Sequence, residues 1–178
     1  MEKKVLIVAA SPRKNGNSDI LASQFTKGAE KEGHRVEIIY LREYEINYCM
    51  GCMACLKKGK CVQNDDVDSI MPKMMEADVI VFATPVYYYD LSGQMKTFLD
   101  RCNPLYSRMS DKDFYYIVTC ADDSDEMVHR VFDSFEGFAY CFENIRNKGR
   151  IYGLNANEKG EVKDTPAFEK TYELGRKV

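Results

Sequence analysis

Four cysteines lie close together in one short stretch of the chain. Cys49, Cys52, Cys55 and Cys61 follow the spacing C-x2-C-x2-C-x5-C. Three cysteines at intervals of three can turn their sulfurs towards one compact centre, and the fourth can close it from beyond Gly59. Zinc sites more often use two C-x2-C pairs that are well separated in sequence. The spacing is therefore closer to that of a cubane iron–sulfur site, with zinc, a redox dithiol and free thiols as the alternatives.

A loop of turn-forming residues, Ser11–Ser18 (SPRKNGNS), separates an apolar run from a helical pattern. The N-terminus of a helix presents unpaired N–H groups and a partial positive charge. Ser11, Asn17 and Ser18 add polar side chains, and Arg13 adds a guanidinium that can bind an anion through two N–H groups. These features suit a phosphate group, and a plain helix start with a surface arginine is the alternative. The pattern is neither G-x-G-x-x-G nor a Walker loop, which argues against a classical dinucleotide site.

Three consecutive tyrosines follow another apolar run. Tyr87, Tyr88 and Tyr89 come after Pro85 and before Gly93. Tyrosine has a flat apolar face and a polar tip, and glycine lets the backbone approach a ligand closely. A planar heteroaromatic ring with polar edges is therefore the expected ligand. One of the three tyrosines is expected to pack in the core, and Tyr87 and Tyr88 are favoured over Tyr89 as the residues that face the ring.

Alternating strand and helix patterns must position these loops. Continuous apolar runs are typical of strands buried on both faces, and they predict strands over Lys4–Ala10, Arg35–Leu41, Asp78–Thr84, Asp113–Cys120 and Gly149–Leu154. Apolar residues at helical spacing predict helices over Asp19–Glu32, Asp65–Ala77, Gln94–Arg101, Val128–Ile145 and Ala167–Gly175. Pro72 is expected to kink or restart the second helix.

This alternation predicts an α/β fold with a doubly wound, five-stranded parallel sheet and helices on both faces. The favoured strand order is 2-1-3-4-5. Residues 1–178 are expected to form a single domain, with a cysteine-rich loop at 47–64 inserted in it.

The composition excludes several functional classes. The chain of 178 residues has a net charge of -3, so it lacks the basic excess that binds a nucleic-acid backbone. Its two histidines are too few for a histidine-rich metal site. No apolar run approaches the roughly 20 residues of a membrane-spanning helix, and the N-terminal apolar run is too short for a signal peptide. We therefore expect a cytoplasmic protein that binds neither nucleic acid nor membrane, in which seven cysteines favour metal or redox use over disulfides.

Two segments resemble the signatures of a known family. SPRKNGNS at 11–18 and TPVYYYDLSGQMKTFLDR at 84–101 are similar to those of the NAD(P)H-dependent FMN reductase family, which has the flavodoxin-like fold. The resemblance implies that the first loop holds the FMN phosphate and that the tyrosine loop lies along the ribityl chain and the isoalloxazine. The loop after the fourth strand would flank the ring from the other side. The implied FMN contacts are Ser11, Arg13, Asn17, Ser18, Pro85, Val86, Tyr87, Tyr88, Thr119, Cys120, Ala121 and Asp122.

The cysteine spacing also matches the compact motif of the iron–sulfur flavoproteins, a branch of the same group. This match implies a [4Fe–4S] cluster held by Cys49, Cys52, Cys55 and Cys61, and a homodimer or homotetramer. The implied function is that of an FMN-dependent oxidoreductase or electron-transfer flavoprotein with NAD(P)H as co-substrate, in which the flavin carries the chemistry. The alternatives are a cluster-free NAD(P)H-dependent FMN or quinone reductase, a non-enzymatic flavodoxin-like electron carrier, and a zinc-stabilised binding module.

Other reactive residues are expected to be structural. Cys102, Cys120 and Cys141 fall on or beside predicted helices and strands, where a free cysteine packs as a small apolar residue. Asp125 and Glu126, with the two aspartates before them, favour the start of the long helix through its dipole rather than a cation site.

Overall fold

The computed structural model describes residues 1–124 and 128–178. Its strands are β1 (Lys4–Ala9), β2 (Arg35–Tyr40), β3 (Val79–Tyr87), β4 (Asp90–Leu91), β5 (Asp113–Thr119) and β6 (Arg146–Gly153). Its helices are α1 (Asn17–Lys31), α2 (Ala54–Lys58), α3 (Val67–Glu76), α4 (Gly93–Arg101), α5 (His129–Tyr140) and α6 (Pro166–Gly175). None of the helices in this part of the chain is long and apolar enough to cross a membrane. The expected role of Asp125 and Glu126 lies outside the described residues.

Five strands form a parallel sheet in the order β2-β1-β3-β5-β6. This is the order 2-1-3-4-5, so the predicted flavodoxin-like fold is confirmed. A sixth strand, β4, pairs antiparallel with the end of β3, and the expected tyrosine loop is therefore a hairpin. Tyr88 and Tyr89 form its two-residue turn with a left-handed backbone, which a sequence signals only when asparagine, aspartate or glycine occupies the turn.

Two apolar layers cover the sheet. In β1, Leu6 and Val8 face the layer formed with α3, α4 and α5, whereas Val5 and Ile7 face the layer formed with α1 and α6. Successive residues of a strand point to opposite faces of the sheet. Because both faces are buried here, residues of both sets are apolar, and the strands appear in the sequence as continuous apolar runs.

Three element boundaries differ from those expected. Helix α3 runs from Val67 to Glu76 through Pro72, so the helix does not restart at the proline. Helix α5 ends at Tyr140, yet Phe142 and Ile145 still pack on the same apolar layer, which explains why the helical pattern extended too far. Strand β6 begins at the polar Arg146, where no apolar run could indicate a strand.

The carboxyl ends of β1, β3 and β5 lie side by side. In the parallel register Ala9 is opposite Ala83, and Pro85 is opposite Thr119. The loops that follow these three strands are therefore neighbours at one edge of the sheet, where ligands of such folds bind.

Helices α1 and α6 touch backbone to backbone at two glycines. A Cβ on Gly28 would lie 2.2 Å from the carbonyl oxygen of Tyr172, and one on Gly175 would lie 2.3 Å from that of Phe25. No side chain fits at such distances because the interior is close-packed. The crossing fixes α1, and with it the first loop, against the C-terminal helix.

Alanine at either crossing glycine should destabilise the protein. We expect Gly28→Ala and Gly175→Ala each to lower the free energy of unfolding by about 2 kcal/mol or more, because the helices must move apart. Gly137→Ala is the matched control, since Gly137 lies in α5 where an added Cβ meets no atom within 4 Å. This control should stabilise by about 0.5–1 kcal/mol. Urea denaturation measures all three, and equal effects would contradict the close crossing.

Candidate functional site

A buried ion pair fixes the first loop, residues 11–16. Asp19, in the first turn of α1, pairs with Arg42, with 2.9 Å between Oδ2 and Nη1. The same carboxylate accepts a hydrogen bond from the N–H of Asn15 at 2.9 Å, and Arg42 donates to the carbonyl oxygen of Ser11 at 3.2 Å. Burial raises the pKa of Asp19, although Arg42 opposes this shift. The loop is thus held near both of its ends.

The N-terminus of α1 is open to a ligand. Its N-cap is Gly16, and no described side chain caps it, so the first-turn N–H groups lack a side-chain partner. A Cβ at Gly16 would lie 2.9 Å from Ser11 Oγ, which is why this tight loop needs glycine. The exposed Arg13 reaches the carbonyl oxygen of Asn157, with Nη1 donating at 3.0 Å. A tight loop, free N–H groups and a nearby guanidinium fit a phosphate.

The side chains of Asn17 and Ser18 bind other loops. The Asn17 amide donates to the carbonyl oxygen of Ala156, and its Oδ1 accepts from the N–H of Gly160, both at 2.9 Å. Ser18 Oγ lies 2.8 Å from Thr119 Oγ1. These two side chains therefore join the strand-end loops to one another, and what Asn17 can offer a phosphate is its backbone N–H.

Ser92 joins the tyrosine hairpin to the end of β1. Its hydroxyl donates to the carbonyl oxygen of Ala10 at 3.3 Å and accepts from Thr84 Oγ1 at 3.1 Å. The same oxygen caps α4 by accepting from the N–H of Met95. One hydroxyl thus connects the end of β1, the end of β3 and the start of α4.

All three tyrosines of the hairpin are exposed. Tyr88 is fully exposed, and Tyr87 and Tyr89 are about two-fifths exposed. The expectation that one of them packs in the core is wrong, because the hairpin carries its tip away from the sheet. Pro85 and Val86, at the base of the hairpin, are half-buried. The hairpin therefore presents aromatic surface beside the first loop.

Bulky residues with a left-handed backbone occur in the tyrosine hairpin and in the cysteine loop. The angle φ is 51° at Tyr88, 60° at Tyr89 and 57° at Met53. The other non-glycine residues with positive φ in the described ranges are asparagines and an aspartate, which tolerate this conformation. A bulky residue pays about 1–2 kcal/mol there, so backbone strain is concentrated in these two loops.

The loop after β5 offers a smaller surface. Thr119 is buried and paired with Ser18, and the buried Cys120 donates its N–H to the carbonyl oxygen of Gly153 at 2.9 Å. Ala121 is exposed and Asp122 is half-buried. The outer two residues can therefore contact a ligand, whereas Thr119 and Cys120 support them.

The four cysteines that were predicted to bind a cluster lie in one loop, but their sulfur atoms do not converge on one point. Cys49 and Cys52 are exposed, and Cys55 and Cys61 are half-buried. Within residues 1–124 and 128–178, no three histidine, cysteine or acidic side chains surround a point that could hold a metal ion. The chemistry of four thiols still fits an iron–sulfur cluster or zinc.

A buried arginine ties the cysteine loop to α4. Arg101 is only 2% exposed and forms a two-point ion pair with Asp65, with N···O distances of 2.6 and 3.0 Å. It also donates to the carbonyl oxygen of Asn47 at 2.6 Å and to Cys61 Sγ at 3.3 Å. Its Nε is buried without a partner among the described residues. Both ends of the loop are therefore attached to one guanidinium.

The charge of Asp65 is stabilised by its hydrogen bonds. Burial alone would raise the pKa of Asp65, but hydrogen bonds from Arg101 and from the N–H groups of Asn47 and Val67 outweigh it, and the pKa is lowered. A second donor, Asn103 Nδ2, lies 3.0 Å from the Sγ of Cys55. Two of the four sulfurs thus accept N–H groups, one from Arg101 at the end of α4 and one from Asn103 just after it, and hydrogen bonds to sulfur tune iron–sulfur clusters.

The remaining cysteines differ from one another. Cys102 and Cys120 are buried as expected, and burial raises the pKa of the Cys102 thiol. Cys141 is exposed, so the expectation that packing explains it is wrong.

Several residues that organise the site carry no sequence motif. Arg42, Asp65 and Asn103 act through contacts with residues distant in sequence, which no local pattern shows. Arg101 is the exception, because its position in the sequence indicates a structural role. It lies three residues after Phe98 on the apolar face of α4, where a charged side chain requires a partner.

The chain is similar in sequence to flavin-containing proteins and in fold to an azoreductase. An iron-sulfur flavoprotein of Archaeoglobus fulgidus is 41% identical over 112 residues, which cover 63% of this chain and 51% of that protein. A Bacillus subtilis protein with the provisional name NAD(P)H-dependent FMN-containing oxidoreductase is 28% identical over 168 residues, 89% of this chain and 88% of that one. The crystal structure of azoreductase AzrA shares the fold, with a TM-score of 0.78, 17% identity and coverage of 98% and 100% of the two chains.

These similarities differ in extent. The chain spans about half the length of the iron-sulfur flavoproteins it matches. The sequence model of the NADPH-dependent FMN reductases matches residues 3–140, which include the first loop, the cysteine loop, the tyrosine hairpin and the loop after β5. The chain therefore belongs to the NADPH-dependent FMN reductase family.

Proposed function

We propose that this chain binds FMN at the common edge of β1, β3 and β5 and acts as a flavin-dependent oxidoreductase with NAD(P)H as hydride donor. The observation that carries the proposal is that hydrogen bonds link the segments at the ends of β1, β3 and β5 to one another. Ser92 joins the tyrosine hairpin to Ala10, and Ser18 joins the first turn of α1 to Thr119. Membership of the FMN reductase family supports the choice of ligand.

The proposed site divides FMN among the three loops. The first-turn N–H groups of α1 and Arg13 would hold the phosphate, in a loop shaped by Ser11. The tyrosine hairpin, with Pro85, Val86, Tyr87 and Tyr88, would lie against the ring, and residues 119–122 would flank its other side. Bound FMN supplies hydride and single-electron transfer, while the chain's own residues bind and orient it.

We further propose that Cys49, Cys52, Cys55 and Cys61 hold a [4Fe–4S] cluster, which supplies one-electron transfer. Their spacing, the resemblance to the A. fulgidus iron-sulfur flavoprotein and the N–H donors to two sulfurs support this. The half of the loop that carries Cys55 and Cys61 is anchored to α4. Assembly therefore requires the exposed half, with Cys49 and Cys52, to fold back on the anchored half.

A homodimer or homotetramer in the cytoplasm is part of the proposal. Exposed apolar side chains in the cysteine loop and the tyrosine hairpin would be covered by a second copy; they are Tyr48, Met50, Met53, Leu56, Val62, Tyr87, Tyr88 and Tyr89. All seven cysteines are free thiols, which favours a reducing compartment.

The second candidate is a cluster-free NAD(P)H-dependent reductase on the same fold. The separation of the four sulfurs favours it, as does the similarity of nearly the whole chain to the B. subtilis protein. In that case the cysteine loop would serve only as a wall of the substrate site.

An anaerobic absorption spectrum separates the candidates. We expect flavin bands above a broad brown absorption, and about four irons per chain. Cys61→Ser should remove the iron and leave the flavin, whereas Cys141→Ser, which changes an exposed thiol outside the loop, should keep both. Yellow protein that stays free of iron after anaerobic reconstitution would establish the cluster-free reductase.

Relief of strain at the hairpin tip should separate stability from binding. We expect Tyr88→Asn and Tyr89→Asn each to raise the free energy of unfolding of the FMN-free protein by about 1 kcal/mol. Tyr88→Asn should also weaken FMN binding about tenfold, because a stacked aromatic pair is worth about 0.5–1.5 kcal/mol, and Tyr89→Asn should weaken it much less. Chemical denaturation and fluorescence titration measure the two effects. Tyr140→Asn, at an exposed helical tyrosine, is the control and should not stabilise.

Loss of the Asp65 charge should release the cysteine loop. Asp65→Asn leaves Arg101 buried without its counter-charge, and we expect a loss of about 3–5 kcal/mol in the free energy of unfolding. Asp100→Asn breaks an exposed pair with Lys96 and should cost less than about 1 kcal/mol. Arg101→Met combined with Asp65→Asn should recover most of the loss, because no unpaired charge remains.

The Arg101–Asp65 pair should make the stability of the protein depend on pH in acid. The pKa of Asp65 is lowered in the folded protein, so its contribution is complete above the unfolded value of about 3.9 and is lost as the pH falls through the lower folded value. The difference in stability between the native protein and Asp65→Asn should therefore be constant from pH 6 to about 5 and should shrink below about pH 4. A difference that grows on acidification would contradict the assignment.

A further inference from the structure

A cavity lies beside α1, apart from the proposed ring site. Its volume is about 610 Å³, within the range of small-molecule sites. Its walls come from the first loop, one stripe of α1, the turn at 159–163 and the start of α6. The residues that the following argument uses are Gln24, Lys27, Lys159, Lys163 and Phe168.

Three lysines give this cavity a positive charge. Within the described residues, Lys27, Lys159 and Lys163 form no ion pair with a carboxylate. The neighbouring Glu161 instead accepts hydrogen bonds from the N–H groups of Asn157 and Glu158, each at 2.8 Å. The lining of the cavity contains these three lysines and no acidic residue, so it favours an anion although the whole chain has a net charge of -3.

The side chain of Gln24 lines the same cavity. Gln24 is only 8% exposed, lines the cavity, and makes no side-chain hydrogen bond with any described residue. Neither amide atom is sealed from solvent, so the amide is open to a ligand or a water molecule on the cavity side. Its position is therefore that of a recognition group.

We propose that this cavity binds an adenine nucleotide. The lysines would hold its phosphates, because ammonium groups form charge-assisted hydrogen bonds with phosphate oxygens. Gln24 would pair with the base, since a glutamine amide can donate to and accept from the adenine edge at two points. Half-buried Phe168 would offer its ring for stacking on the base.

The cavity shares structure with the first loop without using the groups assigned to FMN. Asn15 lines it, and so does Gly160, whose N–H is bound by the Asn17 side chain at the start of α1. The proposed ligand is a free adenine nucleotide, because the NAD(P)H of the proposed hydride transfer must reach the flavin ring and this cavity lies apart from it. The proposal goes beyond the flavin chemistry and does not depend on a cluster.

Calorimetric titration of FMN-saturated protein tests the proposal, with ADP as the probe. We expect one ADP per chain, with an affinity that falls as salt is raised. Lys159→Gln with Lys163→Gln should weaken ADP binding at least tenfold. Lys148→Gln with Lys177→Gln changes the net charge equally at positions that do not line the cavity, and should leave binding unchanged.

Gln24→Leu tests recognition of the base. Leucine has a similar volume and removes an amide that makes no hydrogen bond within the described residues, so the FMN-bound variant should be about as stable as the native protein. The Gln24→Leu variant should bind ADP and GDP with equal affinity, whereas the native protein should bind ADP more tightly than GDP. A thermal melt and retained flavin absorption show that the variant is folded.

Each outcome of the titrations decides the proposal. ADP binding that Lys159→Gln with Lys163→Gln weakens supports it, and competition between ADP and NADP⁺ for one site would assign the binding to the hydride donor and overturn it. Equal binding of GDP and ADP to the native protein, orthophosphate as good as ADP, or no binding would each overturn it. Protein that lacks flavin would contradict the proposed function instead, and ADP can then be titrated into it separately.

Discussion

The parallel register of β1, β3 and β5 is the constraint on which the rest of the site depends. It places the residues after Ala9, Thr84 and Thr119 at one edge, although they are far apart in sequence. Strand pairing alone would leave three independent loops. The buried hydroxyls of Ser92 and Ser18 make them one unit. Ser92 links Thr84 of β3 to Ala10 after β1, and Ser18 links the first turn of α1 to Thr119 at the end of β5. A flat ligand with a phosphate tail needs such a unit, since its ends contact different loops.

The features of the fold that follow from hydrophobic periodicity could be predicted from the sequence. Buried parallel strands are apolar throughout and helices repeat every three to four residues, so the sheet order and the positions of the loops could be predicted. Periodicity says nothing about what a polar side chain contacts. Asn17 has the groups of a phosphate ligand, yet its amide binds the loop at 156–160, and only the folded chain brings that loop to α1. The hairpin was missed because tyrosine does not encode a left-handed turn.

The Arg101–Asp65 pair shows how a fold can position a loop that has little core of its own. Helix α2 buries no residue, and the cysteine loop exposes several large apolar side chains. Hydrophobic burial cannot therefore fix its position. The planar guanidinium of Arg101 can fix the position of the loop. It binds Asn47 at one end of the loop, Asp65 at the other and Cys61 between them. Burial makes the contact specific, since an unpaired charge is costly inside a protein.

Asn17 gives the two proposed ligand sites a physical connection. Its backbone lies in the first turn of α1, whose N–H groups face the first loop, and its side chain binds the turn that carries Gly160 and the lysines. A ligand that orders this turn also orders the side chain that holds it. The start of α1 would then be more rigid before FMN binds, and less conformational entropy would be lost on binding. Because linkage is reciprocal, FMN would favour the second ligand by the same factor, so the two affinities are expected to rise together.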